Sequence, residues 1–260
     1  MAVYPSLPVK MAEEPIKTIS KAFNIIDKLA ELDSAGATRL AKEMDIPKTT
    51  AHAYLRTLES NNIVYNNDGA YNLSLQFLDY AGGVRKDLDI YSAAWQEVQA
   101  LALETREHAN LMIEEFGYGR YIYISEGADS AALDTYTGMT THLHSTALGK
   151  SILASTNREC VKNIIERRGL PQFTENTIGS VEGLFDELEM VQEQEYAENY
   201  QERVLGVSGI AMPISQKSGS VVGAVGISGP ASRIEEKIDE GKIINDIKQK
   251  ANIIELNLTN

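Results

Sequence analysis

Three stretches near the start of the chain repeat apolar residues every three or four positions, which is the spacing of an amphipathic helix. They cover residues 18–30, 38–44 and 48–60. Pro47 comes directly before the third stretch, where the missing N–H of a proline removes no helical hydrogen bond. The apolar residues that recur along the first stretch are Ile19, Phe23, Ile26 and Ala30.

A pair of short strands is predicted after these helices. Residues 63–65 and 70–73 are the two strand segments, and the turn signal Asp68-Gly69 lies between them. An Asp-Gly pair between two such segments is typical of a β-hairpin. Three helices followed by a hairpin is the element order of a winged helix-turn-helix domain.

The helical spacing resumes over residues 75–106, where Gly82-Gly83 predicts an interruption. We place the connection between two domains here, as a linker helix that leads into a longer helix. The predicted organisation is a leader over 1–15, a winged helix-turn-helix over 16–75, a linker helix over 76–90 and a second domain over 91–260.

The second domain alternates predicted strands and helices. One hairpin joins 109–116 to 120–126 through Gly117-Tyr118-Gly119, and another joins 207–215 to 221–228 through Lys217-Ser218-Gly219. Helices are predicted over 157–167, 181–199 and 242–258. Strands that follow one another through tight turns pair antiparallel. The predicted fold class is therefore α+β, with an antiparallel sheet flanked by helices.

Acidic residues outnumber basic ones, mostly in the second part of the chain. The formal net charge is −13, of which −2 belongs to residues 1–80 and −11 to residues 81–260. DNA phosphates need cationic partners, and a nearly neutral first domain can still carry a basic face. The acidic remainder indicates either adaptation to a salty cytoplasm or an ordinary acidic protein.

The composition predicts a cytoplasmic protein without a membrane segment, a metal site or a cofactor. Cys160 is the one cysteine, so no internal disulfide can form and a reducing compartment is expected. No run approaches the roughly 18 apolar residues of a membrane helix, and residues 1–15 lack the features of a secretory signal. His142 and His144 have no cysteine nearby that completes a metal-binding set.

Two short motifs resemble nucleotide-binding or catalytic signatures, and neither is complete. Leu148-Gly149-Lys150-Ser151 ends like a phosphate-binding loop, but His144 stands where that motif needs its first glycine. Gly206-Val207-Ser208-Gly209-Ile210 ends in isoleucine where a nucleophile elbow needs glycine. No other catalytic set is found, so no enzymatic activity is predicted.

The beginning of the third helix is polar and partly cationic. In a helix-turn-helix, this end of the second helix of the motif enters the major groove. Lys48 can contact guanine or phosphate, whereas Arg56 lies further along, where phosphate contact is expected. The alternatives are a solvated polar face or a protein-binding module. The predicted DNA contacts are Arg39, Lys48, Thr49, Thr50, His52, Arg56, Asn66 and Asn67.

These segments resemble the IclR family of transcription regulators. The first domain has Leu-Ala-Lys-Glu from Leu40 and Pro-Lys-Thr-Thr-Ala-His from Pro47. The second has His-Ser-Thr-Ala-Leu-Gly-Lys from His144, Gly-Val-Ser-Gly-Ile-Ala-Met-Pro-Ile from Gly206 and Ser-Gly-Pro from Ser228. The resemblance runs in order over about residues 16–255.

The resemblance implies that the second domain is a GAF-like effector-binding domain. The protein would then bind palindromic double-stranded operator DNA as a homodimer or a dimer of dimers, with the helices over 75–106 as the expected dimer contact. An alternative is a small-molecule sensor that acts through protein partners without binding DNA. The effector, a small organic acid or an aromatic metabolite, is expected at Ala147, Leu148, Asn199, Gly209, Gly226 and Ser228.

The chain departs from its better understood relatives at this expected site. Relatives that bind small acids often have aspartate in place of Asn199, a polar residue in place of Gly209 and serine in place of Gly226. Losing those side chains removes hydrogen-bond partners and opens space. We therefore expect a larger or differently polar effector than a two-carbon acid, although strand packing explains the two glycines equally well.

Overall fold

The computed structural model describes residues 16–258, so the leader predicted over 1–15 lies outside the described part of the chain. These residues divide into two compact units, 16–84 and 85–258. The predicted α+β class is confirmed, with helix-turn-helix elements in the first unit and an antiparallel sheet in the second.

Three helices and a hairpin form most of the first unit. The helices are α1 (Lys17–Leu32), α2 (Ala37–Glu43) and α3 (Lys48–Ser60), and the strands are β1 (Val64–Asn67) and β2 (Ala70–Leu73). Asp68 and Gly69 join the strands with φ angles of 50° and 90°, which a two-residue turn between twisted strands requires. The predicted winged helix-turn-helix is confirmed in its element order and in its turn.

The buried face of α1 includes only part of its apolar stripe. Ile25 and Leu29 are fully buried, whereas Ile19 and Phe23 keep 53% and 61% of their surface exposed. The core of this small unit packs against the second half of α1, so the first two turns extend beyond it. Helical spacing identifies an apolar stripe but does not say how much of it the domain covers.

The helix that follows the hairpin runs without a break. α4 (Gln76–Lys86) contains Gly82-Gly83, so the predicted interruption there is wrong. Both glycines are exposed, and a Cβ at either would meet no atom within 4 Å. Neither glycine serves a turn or a close approach. The break comes instead at Asp87-Leu88, before α5 (Asp89–Thr105).

The second unit is a six-stranded antiparallel sheet with helices on both faces. The strands are β3 (His108–Glu115), β4 (Tyr118–Ser125), β5 (Thr140–Thr141), β6 (Ala197–Tyr200), β7 (Val207–Ser215) and β8 (Val221–Pro230). The helices after α5 are α6 (Ala147–Ala154), α7 (Arg158–Arg168), α8 (Val181–Gln194), α9 (Ala231–Asp239) and α10 (Lys242–Asn257). The strand order is β5-β4-β3-β8-β7-β6, so the two predicted hairpins join through the pairing of β3 with β8.

Successive residues of each strand face opposite layers of helices, because side chains alternate along a strand. In β7, Ile210 and Met212 pack in a core with α5 and α10, whereas Ala211 belongs to a second core with α6 and α8. The sheet therefore separates two hydrophobic cores. The side with α6 is the one that carries the candidate effector site.

Local predictions for the second unit need three corrections. The helix predicted over 181–199 ends at Gln194, because Glu195 adopts a left-handed conformation and the chain then forms β6. The first hairpin turns at Phe116-Gly117, so Tyr118 already belongs to β4. Sequence analysis also does not predict α6 or α9. All residues of α6 are buried, so it has no polar face that would reveal its period.

Candidate DNA-binding helix and effector cavity

The exposed face of α3 carries side chains that are predicted to contact DNA. Lys48, His52 and Arg56 follow one another at intervals of about one helical turn, and all three are exposed. Thr49 is also exposed, and Thr50 is half-buried. The opposite face packs into the core through Ala51, Leu55 and Leu58. The fold therefore leaves an exposed polar stripe on α3 that carries the cations of Lys48 and Arg56.

The first turn of α3 adds a partial positive charge to this stripe. Pro47 precedes the helix, and no side chain in the described part of the chain caps its first turn. The first backbone N–H groups of a helix have no intrahelical acceptor, and the helix dipole is positive at this end. Such an end suits a phosphate oxygen, and Lys48 lies directly beside it.

The remaining predicted DNA contacts lie on α2 and on the wing. Arg39 is exposed on α2 and reaches the carbonyl oxygen of Ser34 at 3.5 Å. Asn66 and Asn67 are exposed at the end of β1. The Oδ1 of Asn66 accepts a hydrogen bond from the N–H of Gly69 at 2.8 Å, so this side chain also stabilises the turn. The DNA-contact role of all eight predicted residues stays a prediction.

A small cavity opens in the second unit, on the side of the sheet that faces α6. It is lined by Tyr121, Leu133, Asp134, Thr135, Thr146, Asn199, Arg203, Val204, Val207 and Ser228. Asn199 and Ser228 are two of the residues where the effector is expected. Gly209 lies between them in the sheet, because it pairs with Asn199 on β6 and with Ser228 on β8.

Hydrogen bonds orient the polar side chains of this cavity. Asn110 donates from Nδ2 to the Oγ of Ser228 at 3.0 Å, which leaves the hydroxyl hydrogen of Ser228 to donate. The Oδ1 of Asn199 accepts from the backbone N–H of Glu202 at 2.9 Å, which leaves its Nδ2 as a donor. Burial raises the pKa of Tyr121 to about 12, so its phenol keeps its proton. The cavity lining therefore includes the hydrogen-bond donors of Asn199, Ser228 and Tyr121, beside the carboxylate of Asp134.

The other residues expected around the effector lie outside the cavity wall. Ala147 and Leu148 are buried at the start of α6, and the cavity is lined there by Thr146, which caps this helix. Gly226 lies within the sheet, where a Cβ would come within 2.2 Å of the carbonyl oxygen of Ile210. Close packing is thus sufficient to explain Gly226. The effector-binding roles of all six expected residues stay predictions, including those of Asn199 and Ser228, which line the cavity.

Sequence analysis does not find Arg203 or Asp134, which line the cavity and form an ion pair. Arg203 donates from Nη1 and Nη2 to one oxygen, Oδ1 of Asp134, at 3.2 and 2.6 Å. Its side chain is only 13% exposed. The sequence does contain a feature that marks Arg203, because it is the one Lys or Arg between residues 169 and 216.

The Gly-Lys pair that resembles a phosphate-binding loop has a structural role. Lys150 is 2% exposed, and its Nζ lies 2.5 Å from Oε1 of Glu187 and 2.7 Å from Oε1 of Glu202. Burial raises the pKa of Glu202, and the charge of Lys150 opposes that rise. At Gly149, a Cβ would come within 2.1 Å of the carbonyl oxygen of Leu143. This pair therefore anchors α6 to the segment beside the cavity.

Residues 16–258 include no helix that is long and apolar enough to cross a membrane. The same residues contain no group of three or more His, Cys, Asp or Glu side chains that fits a metal ion. Cys160 is a free, exposed thiol on α7.

The chain matches two family models, one for each unit. Residues 83–256 match the C-terminal domain of the bacterial transcriptional regulator IclR, and residues 18–68 match the IclR helix-turn-helix domain. A probable HTH-type transcriptional regulator, ArcR, from Halobacterium salinarum is 31% identical over 247 residues, which is 94% of each chain.

Solved structures share this fold. The Thermotoga maritima IclR is 29% identical, with a TM-score of 0.77 over 93% of this chain and 98% of that one. An IclR homologue from Microbacterium hydrocarbonoxydans, complexed with 4-hydroxybenzoate, is 18% identical, with a TM-score of 0.76 over 92% of this chain and 99% of that one.

A DNA-binding helix-turn-helix domain followed by a ligand-binding domain defines a class of transcription regulator. The chain belongs to the IclR family of these regulators, as the sequence motifs predict. The relatives named above are transcriptional regulators, and none of these similarities indicates a catalytic activity.

Proposed function

We propose that this protein binds a palindromic operator through α3 and the wing, and that an organic acid in the cavity controls that binding. The observation that carries the proposal is that Asn199, Ser228 and Tyr121, each with a hydrogen-bond donor group, line one cavity together with the mostly buried cation of Arg203. Effector binding shifts the population between states of different operator affinity, and no bond is made or broken.

The cavity wall favours an acidic effector with an apolar part. Leu133, Val204 and Val207 supply apolar surface beside the donors. The 4-hydroxybenzoate bound by the Microbacterium homologue combines a carboxylate with an aromatic ring, which supports this class. Because Gly209 has no side chain, the row from Asn199 to Ser228 has no polar group at its centre. A Cβ at position 209 would come within 2.8 Å of the carbonyl oxygen of Ile227, so this supports an effector that is differently polar than a two-carbon acid, and it does not support a larger one.

Fluorescence anisotropy with labelled DNA from upstream of the protein's own gene tests the operator part of the proposal. We expect binding that survives excess random DNA and weakens steeply as salt rises, because phosphate contacts release counterions. Binding equal to that of random DNA at every salt concentration would leave either an operator elsewhere in the genome or a sensor that acts through protein partners. Organic acids that release the operator then become effector candidates.

Ser228→Ala is expected to weaken effector binding about fivefold or more, because losing one hydrogen bond costs about 1 kcal/mol. Calorimetric titration with an acid that releases operator DNA measures this change. Ser218→Ala removes a hydroxyl from the exposed turn between β7 and β8, and it serves as the matched control. If S228A and S218A bind the acid with equal affinity, Ser228 is not part of the site.

We infer that α4 provides the contact of a homodimer. None of its residues is buried within the single chain, and Leu78 is strongly exposed one turn after the exposed Leu75, whose carbonyl oxygen accepts from the N–H of Leu78 at 3.0 Å. Exposed apolar side chains that lie close together mark protein contacts. Leu78→Glu is expected to raise the dimer dissociation constant about tenfold or more in sedimentation equilibrium. Met190→Glu on α8 is the control, and an unchanged L78E dimer would place the contact elsewhere.

A further inference from the structure

The loop between β4 and β5 closes one side of the effector cavity. Residues 133–135 at its tip line the cavity. Both ends of the loop are fixed to the sheet by hydrogen bonds. At one end, Nε2 of His108 lies 2.6 Å from the carbonyl oxygen of Ala131. At the other, the N–H of Gly138 donates to the carbonyl oxygen of Tyr121 at 2.7 Å.

Between these ends, the tip is held by one ion pair. Among the described residues, the only polar contact of segment 132–135 is the pair between Asp134 and Arg203. The Arg203 side chain is mostly buried in the cavity wall, whereas Asp134 keeps 66% of its side chain exposed. The guanidinium of Arg203 therefore lies in the cavity wall, whereas the carboxylate of Asp134 lies on a surface loop.

The ion pair between Arg203 and Asp134 does not have the most favourable geometry for a guanidinium and a carboxylate. A guanidinium binds a carboxylate best when two nitrogens meet two oxygens. Here both nitrogens share Oδ1 of Asp134. An ion pair with an exposed partner also stabilises the fold very little. A carboxylate that enters the cavity can therefore replace Asp134 at small cost and gain the two-oxygen geometry.

Arg203 itself is in a fixed position during such an exchange. The residue before it, Glu202, is buried and pairs with Lys150. The backbone carbonyl of Glu202 accepts a hydrogen bond from the hydroxyl of Thr177, and its N–H donates to Asn199 at 2.9 Å. The backbone next to Arg203 is therefore held in place, and we expect the exchange to move the loop.

We propose that Arg203 is the carboxylate-binding residue of the effector cavity, and that Asp134 is an internal competitor which the effector carboxylate displaces. This inference rests on the proposed function, because it assigns the effector chemistry of the same cavity. Displacement frees residues 133–135 and so couples occupancy of the cavity to the position of a surface loop. Asn199 and Ser228 are then available for the rest of the effector. A neutral analogue has no charge with which to displace Asp134.

The first test uses benzoate and its neutral counterpart benzamide as probes, with the full-length protein. Asp134→Asn removes the competing charge and keeps the shape of the side chain. In calorimetric titrations at constant ionic strength, we expect D134N to bind benzoate about threefold or more tightly than wild type. Adding Arg203→Gln to D134N should weaken benzoate binding about tenfold or more, because the buried cation is lost. Benzamide should not distinguish these proteins.

Hydrogen exchange of the loop gives a readout that needs no ligand. D134N should speed exchange of the amides in segment 132–135, because the tip has lost its ion pair. Asp129→Asn is the matched control, since Asp129 forms an exposed ion pair with Arg106 at the base of the same loop. D129N should leave both benzoate affinity and exchange at the tip unchanged. Circular dichroism melts of each variant verify that the fold is intact.

Several outcomes would overturn the assignment of Arg203. Equal benzoate affinity in D134N and D134N/R203Q would do so, as would benzamide binding as tightly as benzoate. The absence of any benzoate binding to D134N would also do so, because the freed guanidinium should accept this anion. Unchanged exchange at the tip of D134N would exclude Asp134 as the competitor. Release of operator DNA by an acid that binds D134N and D134N/R203Q with equal affinity would keep the proposed function and reject only this inference.

Discussion

Replacing Lys150 with methionine is expected to destabilise the second unit by about 3–5 kcal/mol at neutral pH. Methionine keeps most of the apolar stem of lysine, so the loss comes mainly from the missing charge. Glu202 is buried and would be left without the Nζ that now lies 2.7 Å from its Oε1. Its other oxygen, Oε2, already has no hydrogen-bond partner among the described residues. Urea denaturation followed by circular dichroism measures the free energy of unfolding.

The difference in free energy of unfolding between K150M and wild type should decrease as pH falls. Burial raises the pKa of Glu202 and Lys150 lowers it, so removing Lys150 raises this pKa further. A carboxyl group whose pKa is higher in the folded chain favours folding below both pKa values, and this contribution is lost as pH rises through the folded value. The variant should therefore regain stability relative to wild type between neutral pH and about pH 5.

Two further variants separate the charge effect from the loss of packing. K150M/E202Q removes the uncompensated charge, and we expect it to recover most of the lost stability and the pH dependence of wild type. Lys162→Met removes an exposed lysine that pairs with Glu159 on α7, and it should cost less than about 1 kcal/mol. A deficit in K150M that does not vary with pH would contradict the role assigned to Glu202.

The first unit was predictable from sequence because its determinants are local. The turn at Asp68-Gly69 depends on two adjacent residues, and the positions of α2 and α3 follow from apolar spacing and Pro47. The exposed face of α3 could also be predicted, since it is the complement of its apolar face. What was missed, the exposure of Ile19 and Phe23, depends on how far the core extends along α1.

The cavity was predictable only where a residue belongs to a recognisable motif. Asn199 and Ser228 were expected and do line it, whereas Arg203 and Asp134 were not expected. These two residues are 69 positions apart, so no local pattern links them. The structural role of Lys150 was not predicted either, because its partners Glu187 and Glu202 lie 37 and 52 positions away. Pairing over such distances is a property of the folded sheet and its helices.

Lys48→Ala combined with Arg56→Ala is expected to reduce operator affinity about 100-fold, since each contact to a base edge or phosphate contributes about 1–3 kcal/mol. Both side chains are exposed on the free face of α3, away from the core residues Ala51 and Leu55. The substitutions should therefore leave the melting temperature nearly unchanged. Fluorescence anisotropy over a salt series measures the affinity and its salt dependence.

The two single variants should differ in what they change. Arg56→Ala is expected to weaken binding to operator and random DNA alike and to reduce the slope of log affinity against log salt by about one, as the loss of one phosphate contact predicts. If Lys48 contacts a base, Lys48→Ala should weaken operator binding more than random binding. The double variant K217A/R167A removes the same charge from exposed sites on the second unit.

The K217A/R167A variant shows whether DNA affinity depends on the cations of α3 or on the overall charge of the chain. The chain carries a net charge of −13 although it has 24 Lys and Arg residues, so DNA binding depends on where the exposed cations lie. If binding requires α3, K217A/R167A should retain wild-type affinity, because those cations lie outside the helix-turn-helix. Equal losses in the two double variants would instead mean that DNA responds to overall charge, and α3 would not be the recognition helix.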